Sequence, residues 1–120
     1  MYSKYNESEV AYDLGQCYHY GLGTKTNYKE AFRLYEIAIK NNYLKALSSL
    51  AELYKDGKGT EKDLKTAINL YEKAALTNDV LAIKALIQIY SDTSSSYYDE
   101  FRVVELEDLL LNLNQNLSIN

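Results

Sequence analysis

The chain has no proline and no tryptophan, a single cysteine, a single histidine and only Arg33 and Arg102 as arginines among its 120 residues. Without proline, nothing in the sequence forces a helix to kink or stop in its interior. Cys17 alone cannot form an intrachain disulfide, so the staple of small secreted domains is missing. Cys17 and His19 together cannot supply the four nitrogen and sulfur ligands of a usual zinc site, and a Ser-His-acid triad has one candidate histidine and no supporting motif. No stretch approaches the roughly 20 apolar residues of a membrane span, and the opening Met1 to Glu7 lacks the apolar run of a signal peptide. These absences lead us to expect a cytoplasmic, non-enzymatic protein with no metal, no cofactor and no membrane partner.

Positive charge is also scarce where it would matter. The net charge of -4 divides into balances of -1, +1 and -5 over residues 7–42, 43–78 and 79–114, with Lys4 outside them. Nucleic-acid binding needs clustered lysine and arginine to replace counterions on phosphates, and an acidic last third argues against it.

What is present is a period. Asn6, Asn42, Asn78 and Asn114 recur at intervals of 36 residues, and between them Leu14, Leu50 and Leu86, then Tyr18, Tyr54 and Tyr90, fall in register. Gly21 matches Gly57, Gly23 matches Gly59, Ala31 matches Ala67, and Tyr35 matches Tyr71. Such matches at one offset mark a repeat array, in which each unit buries its apolar face by stacking on its neighbours. We therefore expect one domain over residues 1–120, built of repeats at about 7–42, 43–78 and 79–114.

Each repeat reads as helix, turn, helix. In the second, Ala46, Leu47, Leu50, Ala51, Leu53 and Tyr54 recur at helical spacing. Gly57 and Gly59 then supply the positive φ angles of a helix end and tight turn, and Asp63 opens the next helix as a side-chain cap. Asn27 and Asp99 hold the capping position in the other repeats, Asn27 with Glu30 fitting a capping box. Asn42 and Asn78 stand where the chain leaves one helix in a left-handed conformation, and Asn6 reads as a cap of the first helix. The spacing predicts helices at 7–19, 28–41, 43–55, 64–77, 79–91 and 100–113, with residues 115–120 a frayed tail. The third repeat replaces the glycines by Thr93 and Ser95, and Ala31 and Ala38 by Val103 and Leu110. That bulk leaves no room for a fourth repeat at the same spacing, so this repeat reads as a C-terminal cap.

The string from Ala46 through Leu50, Ala51, Tyr54, Gly57, Gly59, Asp63, Ala67 and Tyr71 to Ala74 and Ala75 resembles the Sel1-like repeat, a relative of the tetratricopeptide repeat. The first repeat matches through Leu14, Gly15, Tyr18, Gly21, Gly23, Ala31, Tyr35 and Ala38, and the third only by register. The 36-residue period separates the chain from tetratricopeptide arrays, which run at about 34. Thr24 and Thr60 stand where the family has Val, and Asn42 and Asn78 where it has Gly. The resemblance implies an all-α fold, an α/α superhelix (solenoid) of three helix-turn-helix repeats and six helices. It also implies first helices lining a concave face, and a role as adaptor or scaffold for protein partners.

The period offers a comparison for each suspicious residue. Cys17 corresponds to Leu53 and Ile89 and reads as a small apolar filler. His19 corresponds to Lys55 and Ser91, which places it at a wet helix end. Gly21-Leu-Gly23 and Gly57-Lys-Gly59 follow helices rather than strands, so they read as turns and not phosphate loops. Tyr18, Tyr54, Tyr90, Tyr35 and Tyr71 are framework positions, whereas Tyr12, Tyr20, Tyr28, Tyr43, Tyr97 and Tyr98 vary by repeat and are freer to meet a partner.

On a helical wheel, Val10, Ala11, Leu14, Gly15, Cys17 and Tyr18 span the apolar arc of the first helix. Opposite lie Glu9, Asp13, Gln16 and Tyr20, with equivalents Lys45, Ser49, Glu52 and Asp56, then Ala85, Gln88 and Asp92. We expect these positions to line the partner face, a groove of roughly 20 to 30 Å that suits about six to nine extended residues. Gln16, Glu52 and Gln88 should then be removable with little loss of stability. The competing expectation is a structural subunit forming a homodimer through its leucine-rich last helix, with Val104, Leu109 and Leu113 at the contact.

Overall fold

The structure, a computed structural model, describes the backbone of residues 7–119 and the side chains of residues 7–115. Six helices follow one another: α1 (Glu7–Tyr20), α2 (Tyr28–Lys40), α3 (Ala46–Asp56), α4 (Leu64–Ala75), α5 (Val80–Ser91) and α6 (Glu100–Ile119). The described residues contain no strand. Contacts gather into two compact units, Met1–Leu70 and Tyr71–Asn120.

The caps read from the sequence are formed. Asn27, Asp63 and Asp99 each accept a hydrogen bond from the backbone N–H three residues ahead, at 3.1, 3.0 and 3.0 Å. The same three residues donate their own N–H to Tyr18, Tyr54 and Tyr90 at 2.9, 2.9 and 3.0 Å, so each repeat ties its second helix to the end of its first by a backbone bond at one fixed offset. The capping box is only half made: Glu30 turns its carboxylate to Arg33 instead of back toward Asn27. Asn6 lies outside the described residues.

Helices α1 to α4 all end alike. A residue with positive φ, Gly21 (68°), Asn42 (68°), Gly57 (69°) or Asn78 (62°), turns the chain out of the helix. The following N–H then bonds back to the carbonyl five residues earlier: Leu22 to Cys17, Tyr43 to Ala38, Lys58 to Leu53 and Asp79 to Ala74. These bonds satisfy carbonyls that a helix end otherwise leaves without a partner. α5 departs from this pattern. Asp92 ends it at negative φ and caps the N–H and hydroxyl of Ser94, while Ser95 Oγ accepts from the Tyr97 N–H. Side-chain turns have taken over where the glycines were lost.

Most boundaries move by one or two residues, and two shift further. α3 begins at Ala46 rather than 43 because Tyr43 completes the turn after Asn42, and Ala46 and Leu47 first bond to carbonyls three residues back. α6 runs on to Ile119, past the expected end at 113, so its backbone does not fray at 115.

In the first unit α2 packs on α1 and α3 around Ala11, Ala31, Leu34, Tyr35, Ala38, Ala46, Leu50 and Leu53, all buried. Gly15 permits the close approach of α1 and α2: a Cβ there would lie 2.7 Å from the Tyr35 ring. Tyr12, Tyr28 and Tyr43 also pack against this core and are not free for a partner; Tyr97 is half-buried, and Tyr20 and Tyr98 remain exposed. In the second unit α5 and α6 pack together, burying Ala82, Ile83, Leu86 and Leu106. There Arg102 of α6 forms two hydrogen bonds with the Glu72 carboxylate, which also accepts from Tyr90 of α5 at 2.7 Å. Burial alone would push the Glu72 carboxyl up, but the bonds from Arg102 and Tyr90 outweigh it and hold it below the usual range.

Candidate partner-binding face

Helices α1 and α3 place their polar rows side by side. Gln16 donates to Ser49 Oγ at 3.2 Å, and Tyr20 donates to Glu52 Oε1 at 3.2 Å, so four of the expected positions meet across the two helices. Glu9 and Asp13 of α1, Asp56 of α3 and Lys45 just before α3 are exposed, Lys45 with its ammonium 6.0 Å from the Tyr12 ring centre. The row of α5 lies in the other unit. Its Gln88 and Asp92 are exposed, Ala85 is half-buried, and Leu81, in register with Glu9 and Lys45, is 73% exposed.

Several expectations change here. Ser49 is buried, so its hydroxyl serves Gln16 rather than a partner. Gln16 and Glu52 are themselves hydrogen-bonded within the fold, to Ser49 and Tyr20. The apolar arc of α1 is rotated: Ser8, Ala11, Gly15 and His19 are buried, one step per turn, whereas Val10 and Leu14 are 49% and 47% exposed. Their register equivalents Ala46 and Leu50 are covered because a repeat precedes them, and no described element precedes α1.

The largest correction concerns His19. It is 4% exposed, not at a wet helix end. Its Nδ1 lies 2.9 Å from the Tyr35 hydroxyl and its Nε2 3.6 Å from Glu52 Oε2, while its ring stacks on Tyr20 at 4.1 Å with planes 7° apart. A ring proton on Nε2, facing Glu52, leaves Nδ1 to accept from Tyr35. Burial lowers the His19 pKa below its ordinary value, with the Glu52 charge offsetting only part of the effect. Burial, and then the negative charge and hydrogen bond of Glu52, push the Tyr20 phenol up to about 12. Comparison by register misses this because two of the three partners of His19 do not repeat: Tyr20 becomes Asp56 and Glu52 becomes Gln88, although Tyr35 recurs as Tyr71. A signal did exist in the sequence, a histidine four residues after a glycine on the buried side of a helix.

The arrangement holds an aromatic side chain at the surface in a fixed orientation. Tyr20 is 51% exposed yet fixed on both sides, by the imidazole beneath it and by the carboxylate at its hydroxyl. Among the described residues no His, Cys, Asp and Glu cluster could hold a metal ion, and no buried side-chain donor or acceptor lacks a partner. Cys17 is half-buried and free. Of the expected self-association residues, Val104 is 60% exposed, whereas Leu109 and Leu113 are half-buried; the neighbours Leu111 and Phe101 are 54% and 87% exposed. Among the described residues no helix is long and apolar enough to cross a membrane.

The comparisons with known proteins agree with the fold. A Sel1 repeat protein from Oxalobacter formigenes has a crystal structure that superposes with a TM-score of 0.80 at 23% identity, covering 92% of this chain and 46% of that one. The structure of c5321, a protective antigen present in uropathogenic Escherichia coli strains and displaying an SLR fold, matches with a TM-score of 0.79 at 20% identity, covering 88% of this chain and 23% of that one. The chain thus spans less than half the length of either. Among curated proteins none matches. The family model for the Sel1 repeat matches residues 8–43 and 44–79, consecutive copies offset by one period, and on that match the chain belongs to the Sel1 repeat family.

Proposed function

We propose that this chain is a non-enzymatic adaptor that holds a segment of another protein on the polar face shared by α1 and α3. Sel1 repeat proteins mediate protein–protein interaction, which sets the class of function. The observation that supports this face is Tyr20. An aromatic side chain half in solvent, with its rotamer locked by His19 and Glu52, offers contact area at little entropic cost, the usual property of a binding hot spot. Around it Glu9, Asp13, Glu52 and Asp56 outnumber Lys45 and Lys58, so the face favours a segment carrying positive charge.

The test is affinity capture with the unmodified chain against an Asp13→Arg/Asp56→Arg variant. Both aspartates are exposed, so the melting temperature should stay within about 2 °C. Proteins held on this face should be lost from the variant, with at least about a tenfold drop in yield. Equal capture by a folded variant would move the site elsewhere.

A further inference from the structure

The outward side of α6 carries an apolar stripe that its own packing does not use. Phe101, Val104 and Leu111 are 87%, 60% and 54% exposed, and at 100° per residue they lie on the side of the helix opposite the fully buried Leu106. Singly exposed apolar residues are ordinary, but three aligned along one helix are not. Their register gives them meaning. Val104 corresponds to Phe32 and Leu111 to Ile39, and on α2 both are half-buried against the core, Phe32 with its ring 5.3 Å from Tyr54 of the following helix α3. The face that α3 covers on α2 is bare on α6. Phe101 goes further, since Lys29 and Lys65 hold its position in the other repeats.

Charge decides what fits. Glu100, Glu107 and Asp108 are exposed within or beside the stripe, and the one cation of α6, Arg102, is committed to Glu72 and Glu105. A second copy fits poorly in either orientation: its α6 would bring the same carboxylates, and its α1 would bring Glu7, Glu9 and Asp13. Val103 and Leu110, where α2 has Ala31 and Ala38, also keep an incoming repeat from the spacing used within the chain. We propose that the outward face of α6 docks a basic amphipathic helix of a partner protein, with Phe101, Val104 and Leu111 receiving its apolar side and Glu100, Glu107 and Asp108 its lysines and arginines. Its residues all belong to α6, and it does not depend on the α1–α3 reading.

A fluorescein-labelled helical peptide of leucine and lysine, about 18 residues long with the leucines on one side, serves as the probe for anisotropy titration of the full chain. Phe101→Ser/Leu111→Ser should weaken binding at least about tenfold, Glu107→Lys/Asp108→Lys by a similar factor, and added salt should weaken it further. Asp13→Arg/Asp56→Arg should change it less than about twofold. Thermal melting by circular dichroism shows that each variant is folded; Phe101→Ser alone, at a site 87% exposed, gives a second variant of low structural risk. No binding, or binding indifferent to Phe101 and Leu111 in folded variants, overturns the proposal. So does a dimeric mass for the unmodified chain in sedimentation equilibrium that Leu111→Ser returns to monomer, because the occupant would then be a second copy.

Discussion

Helices α1 and α3 are the same helix written twice, 36 residues apart, and they differ most where their neighbours differ. Leu50 is 5% exposed and Leu14 47%; Ala46 is fully buried and Val10 is 49% exposed. In the turns that follow, Gly21 and Gly57 share φ of 68° and 69°, and Gly23 and Gly59 share 74° and 77°. Yet a Cβ on Gly23 would meet nothing within 4 Å, whereas one on Gly59 would lie 2.6 Å from the Tyr28 carbonyl oxygen. The register sets backbone conformation and caps, and the adjacent repeat sets burial.

Leucine truncation breaks this pair most sharply. Leu50→Ala removes a core side chain and should cost about 2–4 kcal/mol, while Leu14→Ala in the same register should cost about 1 kcal/mol or less. Urea unfolding of both variants measures the gap, and equal losses would mean that Leu14 is covered in solution. The glycines come next. Alanine at either one must adopt a left-handed backbone, for about 1 kcal/mol, but at position 59 it also drives a methyl into the Tyr28 peptide, so Gly59→Ala should lose about 2 kcal/mol or more. Similar melting temperatures for Gly23→Ala and Gly59→Ala would contradict the contact.

The smallest effect is electrostatic. His19 faces Tyr20 on its own helix, Tyr28 and Tyr35 on α2, Glu52 and Asp56 on α3, and Lys58 in the turn beyond. Its folded pKa lies below the ordinary 6.5, so folding favours the neutral ring. The stability this contributes is complete above 6.5 and falls as the pH drops from there toward the folded pKa. Melting temperature measured from neutral pH down to about 5, above the main carboxylate range, should decline in the unmodified chain and decline less in His19→Gln. Parallel profiles would show that His19 titrates as it does in the unfolded chain.

The same comparison explains what could be read in advance. Caps, helix ends and the six-helix order are local: Asp63 finds the Thr66 N–H, and Asn42 turns left-handed, whatever lies nearby. The family match rests on these repeating signals. Neighbour-dependent features were not legible. A wheel drawn on α1 counts Val10 and Leu14 as core because it cannot know whether a repeat precedes them, and it leaves His19 outside because the polar partners of its ring come from α2 and α3. Nor does the wheel show that Ser49 is buried and accepts a hydrogen bond from Gln16 of α1. The loss of the paired glycines at Thr93 and Ser95 is legible in the sequence. How Asp92 and Ser95 rebuild the turn is not, because side-chain turns follow no period.

Site-directed photo-cross-linking tests the central claim most directly. A benzophenone amino acid placed at position 13, at position 56 and, as a control on the second helix, at position 36 would be irradiated in the native cell. A partner segment held on the α1–α3 face should yield the same covalently linked protein from positions 13 and 56 and none from 36. Cross-linking from position 36 alone, or different proteins from 13 and 56, would contradict the assignment of that face.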